Sequence, residues 1–223
     1  MTLSEQVTSI SKAVPTSKRL ADYIALTKPV IVALLLLTTL CGMILAASGF
    51  PSIELVALTL IGGALTAGGA GALNQYVDRR LDRKMVRTRT RPMADERVSP
   101  KEGMILGLTL SLAGVLILAF GVNWLSALLS VIGLVYYVVF YSIVLKPTTP
   151  SNIVIGGAAG AIPPLVGWAA VAGSLSIPAL FLFALIFFWT PPHFWALALI
   201  KRTDYQRAGI PIDRKSTRLN SSH

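Results

Sequence analysis

Six stretches of mainly apolar residues, 30–48, 53–73, 104–122, 125–145, 153–172 and 178–200, dominate the chain. Each has the length that a helix needs to cross a hydrocarbon layer about 30 Å thick, roughly 20 residues. With 54% hydrophobic and only 13% charged residues, disorder is excluded. The one cysteine, Cys41, excludes a disulfide scaffold; it lies inside an apolar run and reads as a small buried hydrophobe. The expected architecture is therefore all-α, a polytopic transmembrane helical bundle embedded in a lipid bilayer. Nothing points to a nucleic-acid partner.

Charge distribution orients these spans. Lys12, Lys18, Arg19 and Lys28 precede the first, nine basic residues lie between Arg79 and Lys101, Lys146 follows the fourth, and Lys201, Arg202 and Arg207 follow the sixth. The opposite connections hold only Glu54. Because Lys and Arg collect on cytoplasmic loops, the N-terminus and all these polar clusters are expected on the cytoplasmic side. Residues 1–29 form a polar N-terminal segment with no apolar run of the kind a signal peptide carries. Pro29 suits the first turn of a helix, whereas Pro191 and Pro192 are expected to kink or break the sixth span near its end.

The second span carries Gly63, Ala67 and Gly71 at four-residue spacing, a face that would let a neighbouring helix approach closely. The same spacing then changes chemistry: Asn74, Asp78 and Asp82 form one polar stripe on the continuing helix. Carboxylates at a membrane edge need partners, and two on one face beside an amide oxygen make a hard-oxygen site suited to Mg²⁺. Arg87 and Arg91 follow within the string MVRTRTRP, and guanidinium forks match phosphate oxygens. Together these residues point to a metal-diphosphate clamp. The plainer alternative is internal pairing of Asp78 with Arg79 or Arg83, and of Asp82 with Arg83; anionic-lipid anchoring would likewise account for the basic loops.

The string NQYVDRRLDRKMVRTRTRP resembles the first aspartate motif of the intramembrane prenyltransferase superfamily, in the variant of the protoheme IX farnesyltransferase (heme O synthase) family. The motif positions are Asn74, Asp78, Asp82, Met85, Arg87, Thr88, Arg91 and Pro92. Residues 141–168 (YSIVLKPTTPSNIVIGGAAGAIPPLVGW), PPHFWALAL from Pro191 and KRTDYQRAGIP from Lys201 extend the resemblance over about 23–211. It implies farnesyl transfer from farnesyl diphosphate to a vinyl group of protoheme IX in a bacterial cytoplasmic membrane. Asn74, Asp78 and Asp82 would hold Mg²⁺, and Arg87, Arg91, Lys146, Lys201 and Arg202 would neutralise diphosphate. It also implies association with heme A synthase or a terminal oxidase assembly pathway. Prenylation of an aromatic quinone precursor uses the same clamp; Gln75 after Asn74 and the MVRTRTRP string favour heme. A transporter of a cation or phosphorylated solute is an alternative of another class, but no second copy of residues 30–102 follows.

By the same resemblance Asp204 and Tyr205, with Lys201 and Arg202, form a second motif facing the first, although basic groups after a span are also an ordinary cytoplasmic flank. Asn152 and Lys146 could reach the same pocket. His193, beside Phe194 and Trp195, is a structural histidine or a contact to heme. The chain has Pro147 where the family usually has arginine, and six spans where it usually has nine. Residues 213–223 (DRKSTRLNSSH) match the in-frame translation of a common sequencing-library adapter; removing them lowers the net charge from +10 to +8, so basicity is intrinsic to the rest. The expected organisation is thus a cytoplasmic segment 1–29, an incomplete transmembrane domain 30–212 and a non-native tail 213–223.

Overall fold

The computed structural model describes residues 16–148 and 152–200. All regular structure among them is helical: α1 (Thr16–Leu26), α2 (Pro29–Ala47), α3 (Ile53–Asp82), α4 (Pro100–Gly121), α5 (Trp124–Val135), a π-helical stretch Tyr136–Leu145 ending in the single turn α6 (Lys146–Thr148), α7 (Asn152–Ala172) and α8 (Ile177–Ile200). Five spans, Pro29–Ala47, Ile53–Asp82, Pro100–Gly121, Trp124–Leu145 and Val154–Ala172, are long and apolar enough to cross a membrane. The sixth expected span is α8, a 24-residue helix whose stretch Ile177–His193 is apolar.

Local chemistry sets the helix ends. Pro29 stands in the first turn of α2. Ser99 and Glu102 form a reciprocal capping box at α4, and Asn123 caps α5 through a bond from Ser126 N (2.9 Å). Asn123 Nδ2 also donates to Ala169 O (2.8 Å), tying α5 to the end of α7.

Two contacts bring backbones together. A methyl group on Gly114 of α4 would lie 2.5 Å from Gly62 O of α3, and one on Gly69 would lie 2.6 Å from Gly107 O. Between α2 and α7, a methyl on Gly42 would meet Pro164 O at 2.4 Å and one on Gly167 would meet Thr39 O at 2.0 Å. Only glycine permits either approach, and dispersion across such seams holds helices together where lipid supplies no hydrophobic drive. The seam with α4 is therefore not the predicted Gly63–Ala67–Gly71 face. Gly63 instead meets Leu36 of α2, and Gly71 receives the backbone of Leu26 and Thr27. Small residues surround this part of α3, so spacing alone could not distinguish its faces.

Two further expectations meet the structure. Of the kink or break expected at Pro191 and Pro192, the break does not occur: α8 runs on through both, and Pro163 and Pro164 likewise lie inside α7. Each removes one N–H donor, but helices in a bundle tolerate prolines where neighbours support the turn; Thr190 Oγ1 donates to Ile186 O (2.7 Å) just before the second pair. Cys41 is exposed rather than buried. A thiol facing lipid carries little cost, so an apolar run does not imply the interior of the bundle.

Topology places the α1–α2 link, the end of α3, the 83–99 connection and Lys146 at one end of the bundle. Met43, Val56 and Ala170, with Val122 and Val171 against them, close the core toward the other.

Candidate active site

At the charged end, α3 continues without interruption from its apolar part into the polar stripe, so Asn74, Asp78 and Asp82 rise one turn apart on one face. They are buried, with 2%, 5% and 2% of their surfaces exposed. Buried carboxylates require charge or hydrogen-bond partners. Their sequence neighbours do not supply them. Arg79 donates to Tyr76 O and lies over the Tyr76 ring at 4.5 Å, while Arg83 bonds Ala94 O (3.0 Å) and pairs with Glu96 (2.7 Å). Adjacent positions on a helix point in different directions. The partners come from afar: Lys146 Nζ donates to Asp78 Oδ2 at 2.6 Å, and Arg91 Nη1 to Asp82 Oδ2 at 2.8 Å.

Arg91 is delivered by the connection between α3 and α4, which is folded tightly rather than left as a loose loop. Met85, Thr88, Met93 and Val98 are buried, the last two against Leu26 and Ala72. Thr88 Oγ1 donates to Asp82 O (3.1 Å), and Arg97 joins Asp22, Asp95 and Thr90 O. Lys146 is delivered by the π-helical stretch. There Ser142 Oγ donates to Tyr137 O (2.9 Å), five residues back, and accepts from Asn74 Nδ2 (2.8 Å). A wider helical turn of this kind is frequent at functional sites. Asn74 Nδ2 also donates to Asp78 Oδ2 (3.0 Å).

One central residue was read from the sequence only as a flanking charge. Lys28, in the two-residue link between α1 and α2, has left-handed backbone angles (φ 56°, ψ 59°). A non-glycine residue holds that conformation only where its surroundings secure it. Here Gln75 Nε2 donates to Ala25 O (3.1 Å) and Leu26 O (3.2 Å), Thr27 Oγ1 donates to Ile24 O (2.8 Å), and Gly71 leaves room for the link. Gln75 thus moors the link and points away from the charged cluster. Lys28 Nζ reaches Asn74 Oδ1 and Tyr137 OH, the latter at 3.1 Å. Burial, supported by the charge of Arg91, brings its ammonium down to about 7 against the opposing pull of Asp78 and Asp82. Tyr137 and Tyr141 stack nearby, their ring centres 5.8 Å apart.

The two carboxylates thus pair with two cationic side chains, Lys146 and Arg91, and the Lys28 amine lies beside them on Asn74, in a mostly buried setting. The described hydrogen bonds use Oδ2 of each aspartate and leave Oδ1 out. Two hard oxygens one turn apart suit an ion such as Mg²⁺, which takes one or two carboxylates and completes its shell with water and phosphate. Among the described residues no group of three or more His, Cys, Asp or Glu offers a fuller protein cage. With Lys146 and Arg91 already balancing the two carboxylates, a bound metal would leave the site net positive, which suits an anionic ligand.

Other sequence-derived candidates are placed differently. Arg87 is exposed and takes no part in these contacts, although it lies four residues from Arg91. His193 is exposed on α8 and stacks on Trp189 at 4.5 Å. Lys201, Arg202, Asp204 and Tyr205 fall outside the described residues, as do the side chains of Pro147 and Asn152. Lys28, Tyr137 and Ser142 were missed as site residues; the only sequence signal for the last was its place in the YSIVLK string.

The profile of the UbiA prenyltransferase family matches residues 35–213. The chain is 53% identical over 192 residues to a protoheme IX farnesyltransferase of Chloroflexus aurantiacus, covering 86% of this chain and 33% of that protein. It is 49% identical over 198 residues to one of Streptomyces coelicolor, covering 89% and 63%. The chain therefore spans between one third and two thirds of the length of these curated relatives. Among solved structures, a UbiA homolog from Archaeoglobus fulgidus bound to DMAPP and Mg²⁺ superposes with a TM-score of 0.67 at 18% identity, over 85% of this chain and 67% of that one. The same homolog bound to GPP and Mg²⁺ gives 0.65 at 20% identity. At these identities the likeness shows the fold.

Proposed function

The chain belongs to the UbiA prenyltransferase family and is an integral membrane protein, and on that premise we propose that the full-length protein transfers a farnesyl group from farnesyl diphosphate to a vinyl group of protoheme IX, giving heme O. The observation that carries the proposal is the pairing of Asp78 and Asp82, buried on one helix face, with Lys146 and Arg91 brought from distant elements. The names of the relatives, about 50% identical, support the acceptor, and the metal and prenyl diphosphates bound to the archaeal homolog support the donor.

In this reading Asn74, Asp78 and Asp82 would hold Mg²⁺. When bound, the ion would neutralise diphosphate oxygens and so favour the leaving group. Arg91 and Lys146 stabilise the negative charge that develops on diphosphate as the farnesyl carbon–oxygen bond breaks and its electron pair departs with the oxygen. The vinyl carbon then attacks the allylic cation. Water adds to the resulting cation and loses a proton, leaving a hydroxyethylfarnesyl group. Helix walls rich in Leu, Val and Ala keep water from the first cation. Lys201 and Arg202 would complete the diphosphate grip, Asp204 and Tyr205 would form the second motif facing the first, Arg87 would guide the entry of diphosphate, and His193 would contact heme. The site faces the cytoplasmic side of the bacterial inner membrane, and the product would pass to heme A synthase or a terminal oxidase.

Pigments extracted from membranes expressing the full-length gene test this directly. Heme O accumulates if the proposal holds; a farnesylated aromatic product with unchanged protoheme would assign the clamp to another acceptor.

A further inference from the structure

The segment before the first span is polar in composition, yet its helix is turned with its ion pairs toward the bundle. Arg19, Asp22, Tyr23 and Leu26 recur at three- and four-residue intervals, so they share one face of α1. Arg19 Nη2 donates to Glu102 Oε1 (2.8 Å), Asp22 Oδ1 accepts from Arg97 Nε (3.0 Å), and Tyr23 and Leu26 pack with Ala72, Met93 and Val98. Leu20, Ala21, Ile24 and Ala25 occupy the opposite face and are exposed, Leu20 by 61% and Ile24 by 50%. A helix resting against water shows the reverse, with its apolar stripe inward and its charges out.

The contacts of α1 also fix its height. Its last residue leads through only Thr27 and Lys28, at most about 7 Å of chain, into α2 at Pro29. Arg19, nearer its other end, is paired with Glu102 in the first turn of α4. Both ends are therefore tied to the starts of membrane spans. Directly after the link, Val30, Ile31 and Leu34 are exposed on α2, so the apolar exterior of that span continues along the chain into the outward face of α1. We infer that α1 is an interfacial helix, with its Leu20 and Ile24 face seated between the headgroups and acyl chains of the leaflet at the charged end of the bundle. Lys18, exposed at the edge of this face, suits the phosphate of a lipid headgroup. Continuity with the exterior of α2 assigns the face to lipid rather than to a second protein.

Two measurements on the full-length protein test this, in vesicles of phosphatidylethanolamine and phosphatidylglycerol. In the first, a lipid carrying a diazirine on its acyl chain is photolysed beside the unaltered protein, and the adducts are located by mass spectrometry. Adducts are expected on Leu20 and Ile24 as well as on Val30, Ile31 and Leu34. Labelling of α2 with none on α1 overturns the inference without any variant having to fold. In the second, Cys41→Ser removes the native thiol, and a nitroxide is attached through Leu20→Cys or Ile24→Cys. Both labels should collide more often with O₂, which partitions into acyl chains, than with a water-soluble nickel chelate. The reverse order would place this face in water, and shielding of both labels from both reagents would place it against a second protein. Either result contradicts the assignment to lipid.

Discussion

In its first half α3 meets α4 backbone against backbone, at Gly62 with Gly114 and Gly69 with Gly107, whereas from Asn74 onward it reaches Lys28, Lys146 and Arg91 through side chains. The first region tolerates no added volume, and charge plays no part in it. The second is specified by which donor meets which acceptor. One helix therefore carries a structural half that fixes where the bundle packs and a chemical half whose partners are free to trade protein contacts for a ligand. Substitutions should separate the two: changes in the glycine seam lower stability, and changes in the stripe lower activity.

The largest effect is expected at the carboxylates. In the full-length protein, Asp78→Ala or Asp82→Ala should lower farnesyl transfer by about 10²-fold or more, since each removes an oxygen from charge stabilisation at the leaving group. Membrane insertion should persist, because the apolar spans are unchanged. Transfer assays beside membrane-fraction yields check this, and normal turnover in either variant would erase the distinction between the halves.

Gly114→Leu probes the other half. Overpacking a close seam costs about 1–3 kcal/mol, so thermal unfolding in detergent should shift downward while turnover per folded molecule stays near its original value. An unchanged melting curve would mean that the α3–α4 approach is not needed for stability.

Smaller effects grade the arginines. Arg91→Ala, which frees a buried carboxylate, should raise KM for farnesyl diphosphate by about tenfold, in line with loss of a charge-assisted bond. Arg87→Ala, at an exposed position, should change it by less than about threefold. Steady-state kinetics with varied farnesyl diphosphate decide the order, and the reverse order would move the phosphate contact to Arg87.

The same contrast explains what the sequence could show. The stripe was legible because Asn74, Asp78 and Asp82 obey a local period, and the spans because apolar length is local too. Partner choice was not. Lys146 lies 68 residues from Asp78, and Lys28 lies 46 from Asn74, so only tertiary packing reveals the pairs. Arg79 and Arg83 are nearer along the chain yet turn elsewhere, because helix geometry points neighbouring side chains apart. Lys28 was hidden further by its place before a span, where basic residues occur for reasons of orientation alone. Gly63 and Gly71 had the right spacing for a helix seam, but it was Gly62 and Gly69 that met α4, since one offset of a small-residue pattern is indistinguishable from the next until a neighbour is present.

Binding of a non-hydrolysable farnesyl thiodiphosphate to the full-length protein in nanodiscs, with and without excess chelator, tests the clamp most directly. The account predicts tight binding with Mg²⁺, lost in chelator and lost equally in an Asp78→Ala, Asp82→Ala double variant. Undiminished binding in chelator, or in the double variant with Mg²⁺ present, would contradict it.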